Sequence, residues 1–151
     1  MVISIKPHHF LDIIKLYGSG IEIFKPDEEF YHDFYKVANL IVNDKNLKLK
    51  LTIQEDDICR PCKFIGINGI CKDRISPING IVSKDEWNKV LDKRLIDFYE
   101  LDLNYIYTSK ELAAIFNDKM DKILEVWKEE DAEKLKKRHI LCIKGIEKYI
   151  K

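Results

Sequence analysis

The sequence of 151 residues has little of what marks membrane, secreted or nucleic-acid-binding proteins. No apolar run approaches the roughly 18 residues that a membrane span needs. The 26 basic and 26 acidic residues cancel, so a general electrostatic attraction to nucleic acid or to an anionic membrane is missing. Residues 1–7 show no charged region followed by an apolar one, as a signal peptide would. We therefore expect a cytoplasmic protein that binds neither nucleic acid nor a membrane.

Cysteine, glycine and proline are scarce, with four, six and four residues. A chain of this length buries a hydrophobic core without needing disulfides, and thiols stay reduced in the cytoplasm. Three of the cysteines, three of the glycines and two of the prolines fall within residues 55–80, where all hydrophobic periodicity is lost. Such a long loop in a compact domain indicates a functional segment, in which cysteines are metal ligands or redox groups.

The remaining pattern predicts a small domain in which helices dominate. Apolar residues at helical spacing predict five helices, which begin near Pro7, Pro26, Ser83, Thr108 and Asp131. Alternating apolar residues predict two strands, at 2–5 and 47–53. We therefore predict a single α+β domain over residues 1–151. It has a two-stranded sheet, a metal-binding loop at about 55–80 and a C-terminal helical part at about 83–150.

The spacing of Cys59, Cys62 and Cys71 predicts a metal site. Two residues separate Cys59 from Cys62, so both sulfur atoms reach one centre, and Asn68-Gly69 predicts a tight turn that returns Cys71 to them. Three crowded thiolates repel one another unless a cation lies between them. Thiolates bind both iron–sulfur clusters and zinc, and the second CxxC pair of a zinc ribbon is missing here. The spacing therefore leaves the choice between iron–sulfur and zinc open.

Cys142 is the candidate for the fourth ligand, because it is the only other cysteine. It lies on the apolar stripe of the last predicted helix, so a site that it completes would join the loop to that helix. The alternatives are a histidine in the fourth position and a Cys142 that packs as an ordinary buried residue.

The pair His8 and His9 joins the first strand to the first helix. Adjacent helical side chains point about 100° apart, so we do not expect both histidines to bind one metal. If the two predicted strands are parallel, their carboxyl ends bring the histidines towards Asp56, Asp57 and Cys59. The candidate catalytic residues are therefore His8, His9 and Asp57. The alternative is a capped helix start beside acidic residues that accept local backbone hydrogen bonds.

Three stretches resemble a bacterial and archaeal family known as domain of unknown function 1284, over about residues 3–74. They are Lys6-Pro7-His8-His9-Phe10-Leu11, Gly18-Ser19-Gly20 and Asp56-Asp57-Ile58-Cys59. Members begin with a similar Pro-His-His-Leu-Leu and later carry Asp-Asp-Ile-Cys. The resemblance implies an iron–sulfur centre and no established activity. Asp12 replaces a family cysteine, and Cys142 stands alone where members have a cysteine-rich end, which keeps zinc open.

These observations predict a metal-binding protein with one iron–sulfur cluster on Cys59, Cys62, Cys71 and Cys142. The cluster would serve electron transfer, with a redox partner protein, or redox sensing. One alternative is an interaction module that zinc stabilises. The other is a metal-dependent enzyme that uses His8 and His9 beside the cysteine site.

Overall fold

A computed structural model, which describes residues 1–26, 28, 32–61 and 73–151, confirms the predicted α+β fold with predominant helices. Among these residues the helices are α1 (Pro7–Gly18), α2 (Phe34–Asn43), α3 (Lys84–Tyr99), α4 (Ser109–Asp118), α5 (Ile123–Val126) and α6 (Ala132–Ile150). The strands are β1 (Val2–Ile5), β2 (Lys48–Leu51), β3 (Arg74–Ile78), β4 (Ile81–Ser83) and β5 (Ile106–Thr108). None of the described helices combines the length and apolar character needed to cross a membrane.

The parallel pairing of β1 and β2 positions the candidate site. Ile3 and Ile5 pair with Leu49 and Leu51, and all four side chains are buried, while the two lysines of β2 face solvent. Because parallel strands end at the same edge of a sheet, the segments that follow β1 and β2 lie together. The first segment carries the histidines, and the second carries the acidic residues and Cys59.

Helices α1 and α6 approach so closely that glycine is required on both. A Cβ atom at Gly145 would lie 2.0 Å from the carbonyl oxygen of Ile14. A Cβ atom at Gly18 would lie 2.1 Å from the carbonyl oxygen of Leu141. Since backbone atoms cannot move aside as the end of a flexible side chain can, any larger residue would force the helices apart. This contact fixes α1, and therefore the histidines at its start, against the C-terminal helix.

The second predicted helix starts later than the sequence pattern suggests. It was predicted from Pro26, but α2 begins at Phe34. The Asn39 side chain accepts a hydrogen bond from the backbone N–H of Phe24 and donates one to the Phe24 carbonyl. These two bonds hold the preceding chain alongside α2 instead of in line with it. The acidic residues after Pro26 are typical of a first helical turn. The local sequence pattern does not predict the contact between Asn39 and Phe24.

The described residues also form more strands than the two that the sequence pattern predicts. The described residues form a three-stranded sheet in the order β1-β2-β5 and a separate β3–β4 hairpin. Strand β5 has only three residues, which is too short for an alternating pattern to be recognised. The hairpin turns at Asn79 and Gly80, both with positive φ, so that the Asn-Gly dipeptide was an overlooked sequence signal. The fourth predicted helix divides into α4, a short 3-10 turn at Met120–Lys122 and α5.

Candidate metal centre

Asp56 organises the turn that follows β2. Its carboxylate is completely buried and accepts hydrogen bonds from the backbone N–H groups of Lys6 at 2.8 Å, Ile58 at 3.2 Å and Cys59 at 3.0 Å. Burial alone would raise the pKa of Asp56, but the charge and hydrogen bond of His9 and these backbone bonds outweigh it and lower the pKa. Asp56 is therefore ionised and acts only as an acceptor.

His9 is oriented by that carboxylate. Its Nδ1 atom lies 2.7 Å from Asp56 Oδ2, and the imidazole is largely buried. Because Asp56 accepts and does not donate, Nδ1 carries the hydrogen, and a neutral ring then has its lone pair on Nε2. A carboxylate on one ring nitrogen that leaves the other for a metal is the usual arrangement around a metal-binding histidine.

Cys59 completes the group. Ligand atoms of His9, Asp56 and Cys59 all lie within 4.8 Å of one another. The ammonium group of Lys6, itself almost fully buried, lies 3.7 Å from the sulfur of Cys59. An ammonium group beside a sulfur favours the thiolate, which is the form that binds metals. Burial would lower the pKa of Lys6, but attraction to Cys59 and to the nearby aspartates raises it, so Lys6 stays charged.

A second histidine–carboxylate pair lies beside the first. Asp92 Oδ1, on α3, is 2.8 Å from both the backbone nitrogen and the Nδ1 atom of His8. Burial opposes the charged imidazole, but Asp92 outweighs this and raises the pKa of His8. Within the described chain, the buried Asp92 Oδ2 has no hydrogen-bond partner. The rings of His8 and His9 lie 4.3 Å apart between centroids, so the two pairs form one continuous cluster.

Two fully buried carboxylates and the Cys59 sulfur belong to this cluster in the described part of the chain. Asp56 and Asp92 are both completely buried, and the Lys6 ammonium group lies 3.7 Å from the sulfur. Buried acidic groups need compensation by positive charge, which protons on the histidines or a divalent cation would supply. Sulfur and imidazole nitrogen are ligands that transition metals prefer, so the donor set fits such a cation.

The cluster lies at the wall of a cavity of about 410 Å³. Lys6, His8, His9 and Cys59 line it from the sheet side. The helical side contributes Trp87, Asn88 and Leu91 from α3, Trp127, Glu129 and Glu130 from the segment after α5, and Arg138 from α6. The volume falls in the range of small-molecule sites, which commonly hold groups with perturbed pKa values. The cluster is therefore open to a ligand.

The structure separates the residues that the sequence grouped together. His8, His9 and Cys59 converge, whereas Asp57 lies outside the group. One oxygen of Asp57 accepts from the backbone N–H of Ser4, and the other pairs with Arg60 at 2.6 Å. The neighbouring Asp56 takes the place beside His9.

Cys142 is fully buried in the core, where its sulfur lies 3.9 Å from the carbonyl oxygen of Leu11. Burial raises the pKa of the Cys142 thiol to about 12, which keeps it neutral. Its role as a fourth ligand stays a prediction. Cys62 and Cys71 lie outside the described residues, so their predicted role stays a prediction as well.

Two members of the cluster, Lys6 and Asp92, were not predicted from the sequence. Asp92 lies three residues before Leu95 and seven before Tyr99, both buried, and so on the inward face of α3. A carboxylate on a buried helical face needs a partner, and this signal was available. Lys6 follows a strand and precedes Pro7, and nothing local to it indicates burial.

Comparison with known proteins returns one family. The family model described as "Protein of unknown function (DUF1284)" matches residues 27–135, which is more than half of the chain. The match includes Asp56 and Cys59 and begins after the two histidines. No curated protein and no solved structure matches the chain.

Proposed function

Since this chain belongs to the family of unknown function DUF1284, which supplies no activity, we propose from the geometry that it is a metal-binding protein with Cys59 and His9 as ligands. Its occupant in this proposal is an iron–sulfur cluster that serves electron transfer or redox sensing. Cys62 and Cys71 would contribute further thiolates, as their spacing from Cys59 predicts. Such a cluster supplies one-electron chemistry when it is bound.

The observation that carries this proposal is the convergence of one sulfur, one imidazole and one carboxylate within 4.8 Å at a buried edge of the sheet. Each of these three groups is held in place independently of a metal. Asp56 receives three backbone hydrogen bonds, His9 is fixed by Asp56, and the Cys59 sulfur lies beside Lys6. Such preorganisation by surrounding hydrogen bonds is typical of metal centres.

His9 is proposed as the non-cysteine ligand in preference to Cys142. A sulfur ligand must be deprotonated, and the Cys142 thiol lies against a backbone carbonyl with a pKa of about 12. His9 has its Nδ1 atom on a carboxylate, which leaves Nε2 as the ring nitrogen for a metal. Imidazole ligands in place of thiolates raise the reduction potential of an iron–sulfur cluster. A comparatively high potential is therefore expected.

Metal analysis of matched cysteine variants tests the proposal. Protein purified without oxygen should contain iron and inorganic sulfide and show a thiolate-to-iron absorption band. Cys59→Ala and His9→Ala should each lose most of the bound metal, because each removes a ligand. Cys142→Ala is the matched control, since it also removes one thiol and is expected to retain the metal. Far-UV circular dichroism would verify that each variant is folded.

The possible outcomes separate the alternatives. Metal retained in full by Cys59→Ala would contradict the proposed site. Metal lost from Cys142→Ala and kept by His9→Ala would identify Cys142 as the ligand and His9 as a neighbour. Stoichiometric zinc without iron would overturn the iron–sulfur assignment and favour the zinc-stabilised module, for which the carboxylate–imidazole pair is equally suitable.

A further inference from the structure

The cavity beside Cys59 differs from a closed structural site because its walls offer room and chemistry for a small molecule. Trp87 and Trp127 contribute large aromatic rings, and Ile58, Leu91 and Phe34 add further apolar surface. Both rings are held in place, because Arg94 lies 5.5 Å from the centroid of Trp87 and Arg138 lies 4.3 Å from that of Trp127. These walls suit a ligand with an apolar body.

The carboxylates on the walls are already neutralised. Glu129 receives two hydrogen bonds from Arg94, at 2.7 and 2.8 Å. Arg138 binds Glu130 at 2.7 Å and Asp12 at 3.0 Å. Two-point guanidinium–carboxylate pairs are among the strongest hydrogen-bonded ion pairs in proteins. A cationic ligand would have to displace a guanidinium to reach these carboxylates.

The ammonium groups on the walls are held more weakly. Lys84 lies 3.3 Å from Asp73 in a partly exposed pair, and Lys6 lies 3.7 Å from the Cys59 sulfur. Neither contact is as short as the guanidinium pairs, and the partly exposed pair of Lys84 with Asp73 is worth little. The side-chain amide of Asn88 also lines the cavity and has no hydrogen-bond partner in the described part of the chain. The polar groups that remain for a ligand are therefore mainly cations and an amide, which bind an anion.

From this asymmetry we propose that the cavity binds a small organic carboxylate, with its apolar part against Trp87 and Trp127 and its carboxylate towards Lys84 and Lys6. A small organic acid is then the class of ligand that binds beside the centre. This inference rests on the proposed function, because the bound acid would lie beside the metal at Cys59 and His9.

Intrinsic fluorescence tests the proposal directly, since the two tryptophans of the chain both line the cavity. The probes are 3-phenylpropionate, the matched amine 3-phenylpropylamine, the neutral 3-phenylpropanol and phenyl phosphate. We expect the acid to change the fluorescence saturably and to bind about tenfold more tightly than the amine, as two weak ion pairs would give. Tighter binding of phenyl phosphate would reassign the head group and overturn the choice of a carboxylate.

Two lysines of α3 supply the matched variants. Lys84→Met should weaken binding of the acid about threefold and leave the neutral alcohol unaffected. Lys89→Met is the control, because Lys89 pairs with Asp85 and does not line the cavity. The proposal is overturned if the amine binds as well as the acid, if Lys84→Met and Lys89→Met behave alike, or if no probe binds saturably.

The same titrations on metal-loaded and metal-free protein keep the two proposals apart. Metal-loaded protein that does not respond to the acid would overturn the proposed class of ligand alone. Protein that binds the acid but never retains a metal would contradict the proposed function and support a carboxylate site.

Discussion

Replacing Gly145 by alanine is expected to lower the free energy of unfolding by more than about 3 kcal/mol, beyond the usual range for an overpacked core. The new Cβ atom would lie 2.0 Å from the carbonyl oxygen of Ile14, so α1 and α6 would have to separate. Urea denaturation followed by circular dichroism measures the effect. If the variant does not fold well enough for a transition, its loss from the soluble fraction gives the same result.

The sign of this change makes the test strict. In a helix without tertiary contacts, alanine in place of glycine stabilises by about 1 kcal/mol. A neutral or stabilised Gly145→Ala protein would therefore show that the helices do not approach as described. The control is Lys144→Ala on the exposed side of α6, for which a change within about 0.5 kcal/mol is expected. Gly18→Ala should behave like Gly145→Ala, since its Cβ atom would meet the opposite backbone at 2.1 Å.

The second large effect is expected for Asp56→Asn, which should lower the free energy of unfolding by about 3 kcal/mol. The substitution keeps the shape of the side chain but removes a buried negative charge. Both oxygens of Asp56 now accept hydrogen bonds, from Lys6, His9 and Cys59. The substitution replaces one of these oxygens by an NH₂ group, which donates and cannot accept. If the proposed metal is present, its affinity should also fall about 10- to 100-fold, because His9 loses the carboxylate that orients it.

The control for Asp56→Asn is the adjacent Asp57→Asn. Asp57 is partly exposed and binds Arg60 and the Ser4 backbone, so its loss should cost less than 1.5 kcal/mol and leave metal binding unchanged. Chemical denaturation and metal titration of the two variants provide the comparison. Equal effects at both positions would contradict the assignment of Asp56 as the organising carboxylate.

Acid titration gives an independent check on Asp56. Its pKa is lower in the folded chain than in the unfolded one, so its stabilising contribution is complete above the unfolded pKa of about 3.9. That contribution is lost as the pH falls from about 5 towards the folded pKa. The wild-type protein should therefore lose stability more steeply over this range than Asp56→Asn. Parallel curves for the two proteins would show that Asp56 is not the group responsible.

The approach of the histidines to the acidic segment was predictable because it follows from a local pattern. Alternating lysines and leucines identify β2, and a short apolar segment identifies β1. Once the two strands are taken as parallel, the segments after them must meet at one edge. That argument reaches His9, Asp56 and Cys59 as neighbours but does not decide which atoms make contact.

The choice between Asp56 and Asp57 shows where the local argument ends. Both carboxylates follow the same strand, and consecutive side chains in a turn point in different directions. The turn is set by backbone hydrogen bonds from Lys6, Ile58 and Cys59, which turn Asp56 inwards.

The classes of element, several of their starts and the neighbourhood of the site could be predicted from the amino-acid sequence, because periodicity, capping residues and strand alternation act between residues close in the chain. Both capping residues, Ser83 and Thr108, accept the expected backbone hydrogen bonds. Three contacts arise from the packing of the folded chain: Asp92 with His8, Lys6 with Cys59, and Gly145 with α1. These pairs are separated by 84, 53 and more than 100 residues. Contacts over such distances depend on how whole helices pack, and no local pattern encodes that packing.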